Sequence, residues 1–337
     1  MDEIMLSIIC TTYNHEKYLK KALDSVFMQK VDFKYEVLLG EDCSTDNSRM
    51  IIKQYEKKYP QLKVFYRKVN YGAKKNFADL YAKAIGKYII VLETDDFWIA
   101  DDKLQKQVDF LENNSEYIAI AHKSIMVDDD GKLLYLKYPE CNKKEYTFKD
   151  FVNGKFAGQT TSIMHKNIYN KKNDYNIDFL MKDEYDKGPG DRKKMFFLLS
   201  NGRVRCLQEY LSAYRFVNSK GSSFTATQRK KQSNILDYKK MFMEYSHKNN
   251  IDKKAKKAAE CLYMNQLIEC LVKKSNKITM KIFIQEVKKF ENKGFCLYEG
   301  IKYVGILGLK RLIGGNRTYS QLKKSDLEII RSVYKEG

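Results

Sequence analysis

Over the first hundred positions, apolar residues come in short blocks whose spacing alternates between that of buried strands and that of one-sided helices. Met5 to Thr11 is a continuous apolar run closed by small polar residues, which reads as a strand buried on both faces. Leu19, Ala22, Leu23, Val26 and Phe27 then recur at i, i+3, i+4, i+7 and i+8, one face of a helix. Tyr35 to Leu39 predicts the next strand. Met50, Ile51, Tyr55 and Tyr59 predict a helix that Pro60 closes. Val64 to Tyr66 is a third strand, and Phe77, Leu80, Tyr81 and Ala84 mark a third helix with Gly86 as its C-cap. Tyr88 to Leu92 is a fourth strand. Repeated strand–helix units predict a parallel sheet with helices on both faces.

Beyond residue 115 the pattern changes. Tyr117 to Val127 and Leu133 to Tyr138 flank Asp128-Asp129-Asp130-Gly131, a hairpin loop. Thr160 to Met164 reads as another strand. Gly188-Pro189-Gly190-Asp191 reads as a turn into a helix over Arg192 to Leu199. Val204 to Leu207 and Leu211 to Phe216 read as short strands or loop edges, and from about Thr227 the chain looks helical and rich in Lys.

Composition narrows the class. With 25 Tyr and 18 Phe in 337 residues, the chain has too much burying power for disorder. Seven cysteines (Cys10, Cys43, Cys141, Cys206, Cys261, Cys270 and Cys296) stand singly with no C-x-x-C pair. That spacing gives no zinc site or disulfide framework and suits reduced thiols in a cytosol. The acidic start Met1-Asp2-Glu3 does not read as a signal peptide, and no apolar run is long enough to span a bilayer. The expected location is cytoplasmic, either soluble or peripheral on the inner face of a membrane. A net charge of +19 points to an anionic partner. The excess is uneven: residues 225–337 hold 25 Lys/Arg against 11 Asp/Glu, and the first 224 hold 37 against 32.

Ligands of open α/β sheets sit at the carboxyl ends of the strands. Those ends here carry Thr11-Thr12-Tyr13-Asn14, Glu41-Asp42-Cys43-Ser44 and Glu93-Thr94-Asp95-Asp96. No G-x-G-x-x-G follows the first strand and no P-loop motif appears over Gly308 to Tyr319, which argues against dinucleotide-dependent dehydrogenases and P-loop enzymes. The three clusters, with Ser44-Thr45-Asp46-Asn47-Ser48, Gly190-Asp191 and Tyr214-Arg215, occur in an order that resembles the inverting family 2 glycosyltransferases of GT-A fold. The resemblance covers roughly residues 5–224. It implies an α/β, Rossmann-like nucleotide-binding domain with a mixed sheet, divided into a nucleotide-sugar half (about 1–115) and an acceptor half (about 116–224). A helical region over 225–337 follows.

The resemblance also implies roles. The family's D-x-D motif is here Glu93-Thr94-Asp95, a departure that leaves Glu93 as a ribose contact, a support or a bystander. Asp95 and Asp96 are expected to hold the donor diphosphate and a divalent cation, Mn²⁺ or Mg²⁺, which favours hard carboxylate oxygens and neutralises charge on the leaving group. Asp42 matches the residue that reads the uracil of a UDP-sugar. Thr11 and Tyr13 match nucleotide-holding positions, while Ser44 or Asp46 could equally cap a helix and Tyr13 equally pack in the core. Asp191 matches the general base of an inverting transfer, though Asp after Pro-Gly is also an ordinary N-cap. Arg215, with Lys220-Gly221-Ser222, resembles a loop closing over the diphosphate. Lys75, beside Lys74 and Asn76, could face the nucleotide, as could Arg67. The four histidines (His15, His122, His165 and His247) have no metal-ligand spacing; His165 could shape an acceptor pocket or simply pack.

In the basic third, Lys302 to Ile313 is a short apolar stretch with basic flanks. It suits a helix lying in an anionic bilayer interface, and equally a small bundle with solvated lysines. The implied partners are a nucleotide-sugar donor and a glycan or lipid-linked glycan acceptor, in bacterial surface polysaccharide assembly. Nucleic acid is not expected, since no binding module is present and the lysines are dispersed. The alternative, from a different class, is a non-catalytic membrane- or acidic-polymer-binding protein on the same scaffold. Neither sugar, acceptor nor oligomeric state follows from the sequence.

Overall fold

The computed structural model describes residues 3–138, 142–170, 177–182, 190–216, 235–273, 278–312 and 321–334. The first strand–helix series forms as predicted: β1 (Leu6–Thr12), α1 (Glu16–Phe27), β2 (Tyr35–Glu41), α2 (Ser48–Lys58), β3 (Leu62–Tyr66), α3 (Ala73–Lys83) and β4 (Tyr88–Glu93). The four strands are parallel in the order β3-β2-β1-β4. Their continuous apolar runs follow from burial on both faces. Leu6, Ile8 and Cys10 meet Leu19, Leu23, Ile52 and Leu104 on one side. Ile9, Leu38, Ile89 and Val91 meet Leu80, Tyr81 and Ala84 on the other.

The sheet then becomes mixed. Next come β5 (Phe97–Trp98), α4 (Lys103–Asn113), β6 (Tyr117–Val127), β7 (Leu133–Lys137), β8 (Glu145–Tyr146) and α5 (Phe148–Val152). They are followed by β9 (Met164–Lys166), α6 (Asp178–Met181), α7 (Gly190–Asn201) and β10 (Arg203–Arg215). Beyond β4 the order runs β9-β6-β10-β5, with β7 on β6 and β8 on β10. The β6–β7 hairpin forms around Gly131 at φ +89°.

Three details differ from expectation. Thr160 to Met164 is not a strand: Thr160–Ser162 is a 3₁₀ turn, with the Ser162 hydroxyl donating to the Gln159 carbonyl (2.8 Å), and pairing begins at Met164. The two short segments after Gly202 are one thirteen-residue strand, broken in register between Leu207 and Tyr210, as at a bulge. Gly86 is not a C-cap; α3 ends on an extended Ala84. A Cβ at Gly86 would stand 2.5 Å from the Ser7 nitrogen, so glycine is required there by the close approach of β1.

The C-terminal region is helical, as expected: α8 (Ile235–Lys248), α9 (Lys253–Val272), α10 (Met280–Val287), α11 (Lys293–Leu312) and α12 (Lys324–Val333). Tyr238, Phe242, Tyr245 and Leu262 share one core with Phe151, Phe179, Phe196 and Val204. α11 lies on α9 through Cys296 and Gly300, whose missing side chain leaves room for Ile268. α12 returns to the sheet, burying Ile330 among Phe97, Ile125, Val127 and Tyr210. The division at 224/225 falls within 217–234, outside the described residues, as does the Lys220-Gly221-Ser222 segment.

Candidate active site

Two loops at the carboxyl edge, after β1 and β2, are latched together. Asn14 and Cys43 adopt left-handed backbone (φ 54° and 65°). The Asn14 N–H donates to Ser44 Oγ (3.0 Å), and its side-chain oxygen accepts from the Thr45 N–H (2.8 Å). Asp46 accepts from the N–H of Glu16 (3.0 Å) and of Ser48 (2.9 Å), while Glu16 accepts from the Asn47 N–H (2.7 Å). Each loop thus supplies acceptors to the other's helix start. Glu41 is fully buried and engaged by the Ser44 N–H and by Arg49, a partner that sequence reasoning did not single out.

The buried Asp42 carboxylate accepts from the N–H groups of Tyr71 (2.7 Å) and Gly72 (2.9 Å). It therefore fixes the turn that opens α3, where Lys75 lies 4.5 Å from the Tyr71 ring centre. Arg67 is turned to Asn76 and Asp79 rather than to the edge. Thr11 pairs across β1 with Gly40 and Glu93, and Tyr13 beyond it is half-buried.

At the end of β4 the three acidic residues separate into two kinds. Asp96 is buried, and both its oxygens are engaged, one by the Arg215 backbone N–H (2.8 Å) and one by the Thr161 hydroxyl (3.1 Å). Burial and the neighbouring Asp95 and Glu93 push its pKa well up. Glu93 and Asp95 are half-buried, and among the described residues no hydrogen bond reaches their carboxylates. Burial, with repulsion from Asp95 and Asp191, raises the Glu93 pKa to about 8, against a lowering by Lys194. Asp191 stands exposed in the first turn of α7, as predicted, accepting from the Arg192 N–H (2.7 Å). Lys194, one turn on, donates to the Tyr81 hydroxyl. Glu93, Asp95 and Asp191 therefore share one electrostatic neighbourhood.

Arg215 does not belong to an open loop. It is buried at the end of β10, and its guanidinium donates to the carbonyls of Asp95 (2.8 Å), Asp128 (3.0 Å) and Asp129 (2.8 Å). That pins the acidic turn to the β6–β7 hairpin loop rather than offering charge to a phosphate.

His15 and Thr94 form a further link. Thr94 Oγ1 lies 2.9 Å from the Thr11 carbonyl and 2.8 Å from His15 Nδ1. Burial lowers the His15 pKa, against the raising influence of Asp95 and Asp46. The other histidines are structural. His122 and His165 are buried in the sheet, and His247 contacts Glu260 (2.8 Å). Among the described residues no three His, Cys, Asp or Glu groups form a ready-made cation cage. Thr161, Lys194 and Arg49 are contacts of the site that the sequence did not flag. Thr161 and Lys194 act through partners remote in the chain, 65 and 113 positions away, and Arg49 reaches back eight residues from α2 to Glu41 at the end of β2, a separation within no single helix or strand.

Comparison with known proteins fits this geometry. Residues 7–171 match the family described as Glycosyl transferase family 2. An uncharacterized protein of Mycobacterium tuberculosis is 37% identical over 127 residues, 37% of each chain, so the match spans little more than a third of that relative's length. The putative teichuronic acid biosynthesis glycosyltransferase TuaG of Bacillus subtilis is 28% identical over 226 residues, 65% of this chain and 82% of TuaG. The crystal structure of S. aureus TarS 1-349 in complex with UDP-GlcNAc superposes with a TM-score of 0.59 over 94% of each chain at 16% identity, a likeness of fold. Residues 7–171, just under half of the chain, match glycosyl transferase family 2, and the strand-end motifs and the mixed sheet agree with that match.

Proposed function

We propose that the chain is an inverting, cation-dependent hexosyltransferase. It moves a sugar from a UDP-linked donor to a hydroxyl of a glycan or lipid-linked glycan in bacterial surface polysaccharide assembly. The observation that carries the proposal is the acidic cluster at one sheet edge, Glu93 with Asp95 and Asp191, next to the nucleotide-side residues Thr11, Tyr13 and Asp42. The teichuronic acid role in TuaG's name and the UDP-GlcNAc bound to TarS support the acceptor and donor classes.

The donor set suits Mn²⁺ or Mg²⁺, which take one or two carboxylates plus substrate phosphates. Asp95 would hold the cation. Glu93, whose carboxyl group has no hydrogen bond among the described residues, is better placed to share it than Asp96, whose oxygens are engaged. Bound there, the cation would neutralise charge developing on the leaving diphosphate. Asp96 holds the turn that presents Asp95, and Arg215 locks that turn from behind. Asp42 and Tyr13 take the base, and Lys75 is a flanking cation for the nucleotide. Asp191 removes the proton of the acceptor hydroxyl as its oxygen attacks the anomeric carbon from the face opposite the nucleotide.

The test is UDP release from a panel of UDP-sugars, with and without added acceptor. Turnover is expected with Mn²⁺ or Mg²⁺ and its loss with EDTA. Asp191→Asn should lower transfer about 10²–10⁴-fold while UDP still binds. Wild-type transfer by Asp191→Asn would remove the base assignment, and undiminished transfer in EDTA the cation. UDP binding with no turnover of any UDP-sugar would favour the non-catalytic alternative.

The proposal includes placement of the basic third against an anionic membrane. What supports it is a set of exposed apolar side chains on α10 and α11, Met280, Ile284, Tyr298 and Ile301 among them, beside exposed Lys281, Lys293 and Lys302. Among the described residues no helix is long and apolar enough to cross a membrane.

A further inference from the structure

The hydrogen positions around Thr94 can be worked out by elimination. A backbone carbonyl only accepts, so the 2.9 Å contact between Thr94 Oγ1 and the Thr11 oxygen must contain the hydroxyl hydrogen. That hydroxyl has no second hydrogen, so in the 2.8 Å contact with His15 the hydrogen sits on Nδ1. In the neutral ring Nε2 then carries a lone pair. Among the described residues no protein group engages it, and His15 is only half-buried. The ring itself is held by two successive hydrogen bonds and stands edge-on to Tyr18, 6.0 Å between centres.

The strand order says what this acceptor faces. β2, β1 and β4 are neighbours in that order. Asp42 follows β2, the loop carrying His15 follows β1, and Asp95 follows β4. A nucleoside diphosphate lying along the edge, with its base at Asp42 and its phosphates at Asp95, has its ribose over the end of β1. A ribose presents hydroxyl donors, whereas phosphates present none.

We propose that His15 Nε2 accepts a hydrogen bond from a ribose hydroxyl of the donor nucleotide, making His15 a specificity residue for ribonucleotide over deoxyribonucleotide donors. The assignment rests on the nucleotide-sugar reading given above. Hard divalent cations favour oxygen ligands, which are abundant at this edge, so the imidazole is assigned to the hydroxyl rather than to the cation.

The test is calorimetric binding of UDP, 2′-deoxy-UDP and 3′-deoxy-UDP, with Mg²⁺ present, to the wild type, His15→Phe and His15→Gln. The wild type is expected to bind UDP about tenfold more tightly than one of the two deoxy analogues, the strength of one hydrogen bond. In His15→Phe that ratio should fall below about twofold, with UDP weakened to the level of the wild type's poorer analogue. His15→Gln, which keeps an acceptor, should retain part of the ratio and serves should the Phe variant not fold. An unchanged ratio in folded His15→Phe, or equal wild-type affinities for all three nucleotides, overturns the assignment and leaves the nucleotide reading standing. Absence of UDP binding by the wild type overturns both. A tenfold loss of Mn²⁺ binding by His15→Phe without nucleotide, read by electron paramagnetic resonance, would make the imidazole a cation ligand and overturn it as well.

Discussion

His122 and His165 occupy the sheet in the same way. In each, Nδ1 meets the carbonyl of the next residue (2.8 and 2.7 Å), and Nε2 is buried with no acceptor. Protonation would place a hydrogen and a charge where nothing receives them. Burial accordingly lowers the His122 pKa well below its ordinary value and that of His165 to about 3. The unfolded chain has ordinary imidazoles, near 6.5. Between the folded and unfolded values the unfolded state binds more protons, so stability is full above about pH 6.5 and is lost as pH falls. From pH 7 to 5.5 each histidine should cost about 1 kcal/mol. Urea unfolding at the two pH values should show His165→Asn losing about 1 kcal/mol less over that interval than the wild type; an equal drop in both would show that His165 is not kept neutral by the fold. The same scale shows what could be read beforehand. The strand-end and helix-start positions of Thr11, Asp42, Asp95 and Asp191 were legible because residue type and local pattern fix them. The inward turn of Asp96 and Arg215 was not, because it depends on a hydrogen bond joining residues 119 positions apart.

Elements were legible where both faces of a strand or one face of a helix are buried, since periodicity records burial. β1, β2, β4, β6 and α1 are of that kind, whereas β7, only partly buried, was marked by the Asp128–Gly131 turn. Periodicity failed where tertiary contacts set the backbone, as at the 3₁₀ turn over Thr160–Ser162. Gly86 shows the difference sharply. Its position after an amphipathic helix suggested a cap, but its need is steric. A methyl at Gly86 would meet the backbone of Leu6 and Ser7 at 2.7 and 2.5 Å, and the Gly86 N–H already donates to Ser7 Oγ (2.9 Å). Backbone in a central strand cannot swing aside as a side chain can. Gly86→Ala should therefore destabilise by about 2–3 kcal/mol, the upper part of the range for overpacking. Gly190→Ala, where an added methyl meets nothing within 4 Å, should stay within about 0.5 kcal/mol of wild type. Chemical denaturation of the pair decides it, and equal stabilities would return Gly86 to the ordinary class of loop glycines.

For the whole molecule, the net charge of +19 divides into a nearly balanced body and a basic helical third. The third is not an appendage in its packing. α8 and α9 bury Phe242 and Leu262 with Phe196, and α12 closes over Phe97. What it leaves outward is the far side of α10 and α11. Tyr298 and Ile301, one turn apart, face away from the Cys296 and Gly300 contact with α9, and Phe295 continues the stripe to the edge where Lys257 of α9 lies over its ring. An apolar stripe rimmed by lysines gains on an anionic bilayer from burial and charge together, about 1 kcal/mol for each lysine near the surface. Screening weakens the second contribution and not the first. Co-sedimentation with vesicles containing phosphatidylglycerol should therefore show binding at about 0.05 M salt that declines at about 0.5 M, with little binding to phosphatidylcholine alone. Phe295→Ser with Ile301→Ser keeps the charge and removes the stripe. It should weaken binding at every salt concentration while donor turnover with a soluble acceptor is unchanged. If the double variant binds as wild type does, the lysines act without insertion and the stripe has another occupant. Equal binding to neutral and anionic vesicles would instead remove charge from the account and leave the basic third without the partner proposed for it.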